Sequence, residues 1–270
     1  MAETTTVISS NESAANSDAD NPRDATANGL FTTMVTVAKQ LGGIGIFDVP
    51  GKKDEALAFQ SANNSERIYL VWPQVKVSYN KKTIAVPASA YAAGVLAKIN
   101  FWESPSNQPV NGILGTEYPV SFALDDAMSL GQLLNSKQVA TIVRQDGFRL
   151  WGARGAGEPG NLKTHQIQKV RITDAIREAI LSSHRWAVAK GITANYLKAV
   201  QNSVKTYLDD LKSKGAIAGG DCVPDDEQNT ATNLFQGKVF WKYSFTPTPV
   251  AETLYFIEEI TDSYLTKIGA

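Results

Sequence analysis

A β-hairpin is encoded by residues 139–155, Val139-Ala-Thr-Ile-Val-Arg-Gln-Asp-Gly-Phe-Arg-Leu-Trp-Gly-Ala-Arg-Gly155. The β-branched run from Val139 to Arg144 predicts a buried strand. Asp146-Gly147 is a dipeptide that tight hairpin turns prefer, because their central residues need a positive φ. Phe148 to Trp151 then predicts the returning strand, so the hairpin is specified locally.

Two interpretations of the turn region stay open. In the first, the hairpin is held by an ion pair from Asp146 to Arg149 or Arg154. In the second, the turn region is a binding edge, since arginine and tryptophan are enriched at protein interfaces. The candidate contact residues of such an edge are Asp146, Phe148, Arg149, Trp151 and Arg154.

Upstream of the hairpin, helical and strand patterns alternate. Leu30, Met34, Val37, Ala38 and Leu41 recur at three- and four-residue steps, which predicts a helix that Gly42-Gly43 ends. Such alternation indicates an α/β layer with a partly parallel sheet. The further elements predicted before the hairpin are a strand at 44–49, a helix at 54–61, a strand at 67–77, a helix at 87–100 and a helix from Asp125 or Asp126 to Asn135.

Downstream of the hairpin, two long helices dominate the pattern. The first starts at Thr173 or Asp174 and runs to about Ala189, and the second is capped by Thr193 and stops at Gly215. The second helix carries a buried apolar stripe of Leu197, Val200, Val204, Leu208 and Leu211. The last predicted elements are a strand at 216–223, a short helix at 225–236 and strands at 238–245 and 254–260, of which the final two pair with each other.

These patterns predict an α+β chain, with a mixed α/β layer followed by a helix-rich C-terminal core and a small terminal sheet. We divide it into a polar tail (1–28), an α/β part (29–123) and a C-terminal core (124–270). The tail lacks the large apolar residues that a core needs. Its β-prone run Thr4 to Ile8 is either disordered or adds as a strand to another sheet.

Composition excludes several classes of protein. The 270 residues include 26 basic and 27 acidic side chains, so the formal charge of -1 does not favour nucleic-acid binding by bulk electrostatics. One cysteine, Cys222, and two histidines exclude an internal disulfide and a Cys/His zinc cluster. No apolar run reaches the roughly 20 residues that a membrane span needs. We expect no metal, no cofactor and no membrane insertion.

The sequence has little that resembles an active site. A nucleophile elbow and a phosphate-binding loop are both missing from it. His184, next to Ser183 on a helix, is the remaining candidate base, and adjacent carboxylate pairs point in different directions. An α/β hydrolase-like enzyme that uses His184 or a carboxylate pair is therefore an alternative, and a monomeric ligand-binding module is a third class.

A row of lysines follows the second long helix. Lys198, Lys205 and Lys212 are seven residues apart and so align on one side of the helix, beside the apolar stripe. Either their stems cover the edge of the core, or the row faces an acidic protein surface.

Several short motifs occur in one order along the chain. The first two are Ser104-Pro-Ser-Asn-x-x-Val110-Asn-Gly112 and Asp146-Gly-Phe-Arg-x-Trp-Gly152. The later ones are Trp186-Ala-Val188, Leu211-Lys-x-x-Gly-Ala-Ile217, Gly237-Lys-Val239, Phe245-Thr-Pro-x-Pro249 and Ile260-Thr-Asp-x-Tyr-Leu265. In this order they resemble the core of the contractile tail sheath proteins of phages and R-type bacteriocins, from about Leu30 to Leu265. The resemblance implies a longer region before the helix near Gly29 than the 28-residue tail of this sequence, so most of the usual N-terminal region is expected to be lacking.

The resemblance implies a structural subunit without enzymatic activity. Such subunits polymerise as stacked hexameric rings around an inner tube and contract to drive the tube through a target envelope. The implied partners are further copies of the chain, the inner tail tube protein, and baseplate and tail terminator proteins. The implied location is a virion tail, or a bacteriocin or injection particle, assembled in the bacterial cytoplasm.

The resemblance also gives candidate contact residues a role. Strands near a terminus leave unpaired edges that can add to a neighbour's sheet. We therefore expect subunit contacts at Tyr243, Phe245, Tyr255 and Phe256, and at the hairpin residues named above. The lysine row of Lys198, Lys205 and Lys212 is the candidate surface that faces the tube.

Overall fold

The computed structural model describes residues 29–158 and 160–261. Its helices are α1 (Gly29–Leu41), α2 (Lys53–Ala62), α3 (Ala88–Lys98), α4 (Leu130–Ser136), α5 (Ile167–Ser183), α6 (Ala194–Ser213) and α7 (Ala231–Phe235), with a 3₁₀ turn at Arg185–Ala187. Its strands are β1 (Gly45–Asp48), β2 (Ile68–Val71), β3 (Val75–Tyr79), β4 (Lys82–Val86), β5 (Gln108–Pro109), β6 (Gly115–Thr116), β7 (Val139–Arg144), β8 (Phe148–Trp151), β9 (Ile217–Pro224) and β10 (Trp241–Pro247). The tail predicted at 1–28 lies outside the described residues.

A mixed five-stranded sheet of order β1-β2-β7-β8-β5 organises the first part of the chain. The pairs β1–β2 and β2–β7 are parallel, whereas β7–β8 and β8–β5 are antiparallel. The predicted hairpin is confirmed, and its turn has a positive φ at Asp146 (49°) and Gly147 (101°). The partly parallel α/β layer and the α+β class are confirmed as well.

Each face of this sheet is covered by helices. Ile46, Tyr69 and Val71 face one core, which includes α3, while Phe47 and Leu70 face the other, which includes α1 and α2. Successive residues of a strand point to opposite faces, so the continuous apolar runs of β1 and β2 supply both cores. The sheet is therefore a buried layer between helices.

The second part of the chain packs α5 and α6 against a two-stranded sheet. Val204, Leu208 and Leu211 of the predicted stripe are buried against Ile172 and Cys222. Thr193 caps α6, because its hydroxyl accepts a 3.1 Å hydrogen bond from the Tyr196 amide. Strand β9 pairs antiparallel with β10, which confirms a small sheet near the C-terminus.

The two parts are joined by an ion pair with little exposure. The Arg67 guanidinium donates two hydrogen bonds to Asp174 of α5, at 2.6 and 2.8 Å. The two side chains are only 11% and 12% exposed. Arg67 also donates to the Gly43 carbonyl at 3.3 Å, so one side chain connects the β1 and β2 region to α5.

The strand predicted at 67–77 is wrong as a single element. It is divided into β2 and β3, which belong to different sheets. Pro73 between them has no amide hydrogen for a ladder, so the strand cannot continue through it. Strand β3 joins a three-stranded sheet of order β4-β3-β6. In the turn between β3 and β4, Asn80 and Lys81 have positive φ. Because this turn contains no glycine, the sequence pattern does not predict the β3–β4 hairpin.

Several predicted helix ends also differ from the structure. Helix α4 starts after Ser129 rather than at Asp125 or Asp126, whereas α5 starts after Gln166 rather than at Thr173 and ends at Ser183. Helix α7 begins only after its cap Thr230. In α5 the buried Ile167 and Val170 extend the helix toward its N-terminus, because tertiary burial outweighs the polar pattern of that turn.

Candidate subunit interface

The C-terminal segment, which we define as Val250–Thr261, carries most of the exposed apolar surface at this end of the chain. Its large apolar side chains are between 70% and 96% exposed, and they are Leu254, Tyr255, Phe256, Ile257 and Ile260. Soluble monomers rarely expose contiguous apolar patches of this kind, and such patches mark interaction sites. The segment is therefore the main candidate contact surface.

The predicted strand at 254–260 is wrong for this structure, because those residues form neither helix nor strand. The predicted partner, β10, pairs instead with β9, and Tyr243 lies opposite Cys222. The tight turn at Gly215, which has a φ of 76°, returns the chain from α6 into β9 beside β10. The prediction paired 238–245 with 254–260 because these two segments follow each other in the sequence, but β10 pairs with β9 instead.

Polar contacts anchor the start of the C-terminal segment to the body. Glu252 accepts hydrogen bonds from Arg154 Nε at 2.8 Å and from Gln166 Nε2 at 2.6 Å, and its ion pair with Arg154 Nη2 is 2.7 Å. The Gln166 amide also binds the Val250 backbone, donating to its carbonyl at 3.2 Å and accepting from its N–H at 3.3 Å. We call Arg154, Gln166 and Glu252 the anchor.

The anchor keeps Glu252 ionised. Burial of the Glu252 carboxyl acts to raise its pKa, but the hydrogen bonds from Gln166 and Arg154 outweigh burial, so the pKa lies below its usual value. His165 Nε2 is 3.9 Å from the same carboxylate. Burial and the nearby Lys169 lower the pKa of His165, so its ring favours the neutral form. Arg154 is thus the main cation of the anchor.

The ion pair expected within the hairpin is not formed. Arg149 donates to the carbonyls of Gln145 at 3.3 Å and Asn107 at 2.9 Å, while Arg154 binds Glu252 rather than Asp146. Asp146 lies exposed in the turn. The prediction that Asp146 pairs with Arg149 or Arg154 is therefore wrong, because long-range contacts use both guanidinium groups.

The aromatic residues of the hairpin are partly covered by the body of the protein. The Trp151 ring lies 4.6 Å from that of Phe122, centroid to centroid, and its indole N–H donates to Gln132 at 3.3 Å. Phe148 is half-buried, with the Arg144 guanidinium 6.0 Å from its ring centroid. Strand β5 pairs with the outer side of β8. The exposed part of the hairpin is thus its turn.

Strand β10 presents aromatic side chains beside an unpaired edge. Tyr243 is 38% exposed, and its ring stacks on that of Phe245 at 6.3 Å with an interplanar angle of 7°. Within residues 29–158 and 160–261, β10 pairs only with β9. The other edge of β10 has free backbone groups that can accept a further strand.

The predicted lysine row lies on α6, but its three charges differ in environment. Lys198 and Lys212 are exposed, whereas the Lys205 ammonium pairs with Asp221 of β9 at 2.7 Å. The Asp221 hydrogen bond raises the pKa of Lys205. Lys205 therefore bridges α6 and β9, and the exposed cations of the row are at its two ends.

The surroundings of His184 and Cys222 are those of residues with a structural role rather than a catalytic one. His184 Nδ1 lies 2.8 Å from the Ile180 carbonyl and 3.0 Å from the Ser183 hydroxyl, in the geometry of a helix end. Cys222 is buried, and its pKa is raised by burial and by Asp221, which makes the thiol unreactive. Among the described residues, no cluster of ligating side chains suits a metal ion, and no helix is long and apolar enough to cross a membrane.

This fold and this surface define a class of protein. A mixed α/β body, an anchored but exposed apolar segment and an open strand edge are the features of a structural subunit that binds other protein chains. The chain belongs to the phage tail sheath family: residues 18–156 match the phage tail sheath protein central domain, and residues 161–261 match the phage tail sheath C-terminal domain. The resemblance found in the sequence is confirmed.

Known proteins similar to this chain agree with that assignment. It is 39% identical over 254 residues to a prophage major tail sheath protein of Pseudomonas aeruginosa (strain UCBPP-PA14), and 29% identical over 260 residues to the tail sheath protein of Escherichia phage P2. Both alignments cover 92% of this chain and 65% of the relative. The fold is similar to that of the PVC sheath complex of an extracellular contractile injection system in the contracted state, with a TM-score of 0.72 and 19% identity over 88% of this chain and 69% of that one.

The family is one of structural proteins, so the hydrolase alternative is wrong. The chain spans 65% of the length of these two curated relatives. Sequence analysis missed Gln166 and Glu252 of the anchor. They are separated by 86 residues, and neither belongs to a local motif that predicts their contact.

Proposed function

We propose that this chain is a subunit of a contractile sheath that assembles as stacked hexameric rings around an inner tube. The observation that carries the proposal is the exposed apolar C-terminal segment on a body with the sheath-family fold. Repeated contacts between unlike surfaces generate a helical array when they do not close into a ring. Contraction then needs no nucleotide, because the two states differ in how much surface neighbouring copies bury.

The apolar residues of the segment are numerous enough to support assembly. Burying a large apolar side chain contributes about 1.5–3 kcal/mol, so its five large apolar residues supply roughly 8–15 kcal/mol before opposing costs. Ordering the segment and docking the subunit oppose that gain. Those costs are of the same order as the gain, so only the surplus contributes to affinity.

Strand addition is the proposed mode of contact. The segment of one copy adds to the free edge of β10 in another, which places Tyr255 and Phe256 near Tyr243 and Phe245. Backbone hydrogen bonds hold the copies together, and side chains set the register. Copies linked in this way stay connected while their bodies rotate between two packing arrangements.

Proline substitution tests strand addition. In an added strand, alternate N–H groups face the partner, so Tyr255→Pro or Phe256→Pro removes a ladder hydrogen bond and obstructs the register. We expect sheaths to be abolished in electron micrographs while circular dichroism and melting temperature stay unchanged. Phe256→Val is the control, because it keeps the N–H and the β propensity. Intact sheaths in both proline variants contradict strand addition.

The proposed inner face of the sheath, which would contact the tube, includes the lysine row on α6. Lys198, Lys205 and Lys212 would face an acidic tube surface, with the two exposed end residues contributing most. Reversing all three to glutamate is expected to weaken co-sedimentation with tubes and to reduce its salt dependence. Reversing the exposed Lys39, Lys81 and Lys82, three lysines outside the row, is the matched control. Unchanged co-sedimentation of the triple variant at low salt refutes this orientation.

The remaining partners follow from the same proposal. The hairpin residues Asp146, Phe148, Arg149, Trp151 and Arg154 are proposed subunit contacts, with Arg154 acting through the anchor. A baseplate and a tail terminator would bound the sleeve at its two ends. The assembled particle would be a virion tail, a bacteriocin or another injection particle.

A further inference from the structure

A cavity of about 320 Å³ opens between the C-terminal end of α5, helix α6 and the β9–β10 sheet. That volume is far larger than a single buried water needs and falls at the lower end of the roughly 300–1,000 Å³ typical of ligand sites. Its walls are mainly apolar and aromatic, and include Ile180, Tyr196, Val200, Val204, Trp241 and Tyr243. The cavity is therefore suited to an apolar or aromatic group.

Two buried polar atoms belong to residues that line this cavity. His184 Nε2 and Trp241 Nε1 have no hydrogen-bond partner among the described residues. Because the Ile180 carbonyl 2.8 Å from His184 Nδ1 can only accept, we assign the ring proton to Nδ1, and Nε2 is then an acceptor. The Trp241 indole nitrogen is only a donor. A hydroxyl group, which can both donate and accept, complements both atoms, so the cavity chemistry fits a tyrosine side chain.

The C-terminal segment supplies an exposed tyrosine of this kind. Tyr255 is 88% exposed. In an extended segment it shares a face with Ile257, which provides apolar surface for the rim of the cavity. Glu258 and Glu259 follow it, while Arg185, next to the cavity residue His184, is an exposed cation. The charges of the segment and of the rim are thus complementary.

The anchor prevents Tyr255 from reaching the cavity of its own chain. Glu252 is held at Gln166, the residue before α5, whereas His184 is the residue after it. The 17 residues of α5 span about 25 Å at 1.5 Å per residue. Three extended residues from Glu252 to Tyr255 span only about 10 Å. A Tyr255 that enters the cavity must therefore come from another molecule.

We propose that the cavity beside β10 receives Tyr255 of a second copy of this chain, whose hydroxyl bridges His184 Nε2 and Trp241 Nε1. This inference rests on the proposed self-assembly and adds the side chain that fixes its register. A register shifted by one residue would present Leu254 or Phe256, which leave both polar atoms unpaired.

A peptide experiment tests the inference on the full chain before it assembles. A synthetic peptide of residues 250–261 is titrated into the chain, below the concentration at which light scattering rises, and heat of binding is measured. We expect saturable binding, a loss of at least about tenfold in affinity for Tyr255→Ala, and a smaller loss for Phe256→Ala, which lies on the other face. Equal affinity of the native and Tyr255→Ala peptides overturns the inference.

Variants of the cavity provide an independent readout. Ala187→Leu fills the cavity from a buried position, so peptide binding should fall at least about tenfold while the melting temperature of the chain does not decrease. Trp241→Phe removes the donor to the hydroxyl but keeps the His184 acceptor, so the loss caused by Tyr255→Phe should be smaller on this variant than on the native chain. A filled cavity that binds as well as the native one overturns the inference, as does an unchanged Tyr255→Phe penalty on the Trp241→Phe chain.

The outcome is separable from that of the proposed function. If the peptide binds as expected but electron micrographs show no sheath, the sheath proposal fails and the cavity assignment stands. If sheaths form but the peptide does not depend on Tyr255, only the cavity assignment fails. Displacement of the native peptide by a peptide of residues 1–28 at the same cavity would identify a different occupant and overturn it.

Discussion

Removing the Glu252 carboxylate should release the C-terminal segment from the body without unfolding the protein. Glu252→Ala deletes the acceptor of hydrogen bonds from Arg154 and Gln166, at 2.8 and 2.6 Å. Hydrogen bonds to charged groups contribute about 1.5–3 kcal/mol each. The Arg154 side chain is 34% exposed, so solvent screening reduces its share.

We take the net contribution of the carboxylate as about 2–3 kcal/mol, which corresponds to a fall of roughly 30- to 150-fold in the docked-to-released ratio. The assay is hydrogen exchange at the Val250 amide, whose N–H donates to Gln166 and is protected only when the segment is docked. Exchange at Val250 should accelerate by that factor. The melting temperature should change little, because residues 250–261 add no buried apolar side chain to the core.

The same anchor predicts a dependence on pH. The pKa of Glu252 is lower in the docked state than its ordinary value of 4.5, so docking is favoured above that value. The protection is lost as the pH falls through the lowered pKa of the docked state. After correction for intrinsic exchange, Val250 should keep its protection from pH 7 down to about pH 5 and lose it at more acidic values. In Glu252→Gln this pH dependence should disappear.

The exposed Glu258 of the same segment provides the control. Glu258→Ala changes the charge of the segment equally but touches no anchor residue, so exchange at Val250 should stay at the native rate. If Glu252→Ala leaves Val250 protected, or if Glu258→Ala exposes it equally, the anchor does not hold the segment.

Two further predictions concern the body of the protein. Asp174→Ala leaves the poorly exposed Arg67 guanidinium without its carboxylate, so the free energy of unfolding in urea should fall by about 3–5 kcal/mol. The double variant Arg67→Met with Asp174→Leu should recover most of that loss. A double variant as unstable as Asp174→Ala contradicts this prediction. Gly152→Ala places a Cβ 2.8 Å from the Ala140 Cα at a residue with a φ of 138°, so the free energy of unfolding should fall by about 1–3 kcal/mol. At the exposed Gly191 a Cβ meets nothing within 4 Å, so Gly191→Ala should leave stability unchanged. Equal melting temperatures of these two glycine variants would refute the steric argument.

Predictions from the sequence succeeded where the determining residues lie close together. The Asp146-Gly147 turn, the stop of α1 at Gly42 and the Thr193 cap of α6 each depend on a few neighbouring positions. The apolar stripe of α6 depends on a period of three and four residues, which any buried helix face must follow. Family membership could also be predicted, because the order of the short motifs can be read directly from the linear sequence.

Predictions failed where a choice of partner was required. The segment at 254–260 has a β-prone composition, but a strand also needs a partner, and the start of this segment is held at Gln166 rather than along the open edge of β10. Arg154 has a nearby acid in Asp146, yet it binds Glu252, which is 98 residues away. Such choices depend on the geometry of loops and on competition between contacts, which local patterns do not encode.

The sequence by itself determined the α+β class, the buried face of α6, the hairpin and the sheath family, because each follows from residue types at short, fixed spacings. Only the tertiary structure decided that Gln166 and Arg154 hold Glu252, that the apolar segment beyond it stays exposed, and that His184 and Trp241 line one cavity. The physical reason is that these features arise from side chains distant in sequence, whose meeting is fixed only when the helices and sheets have packed together.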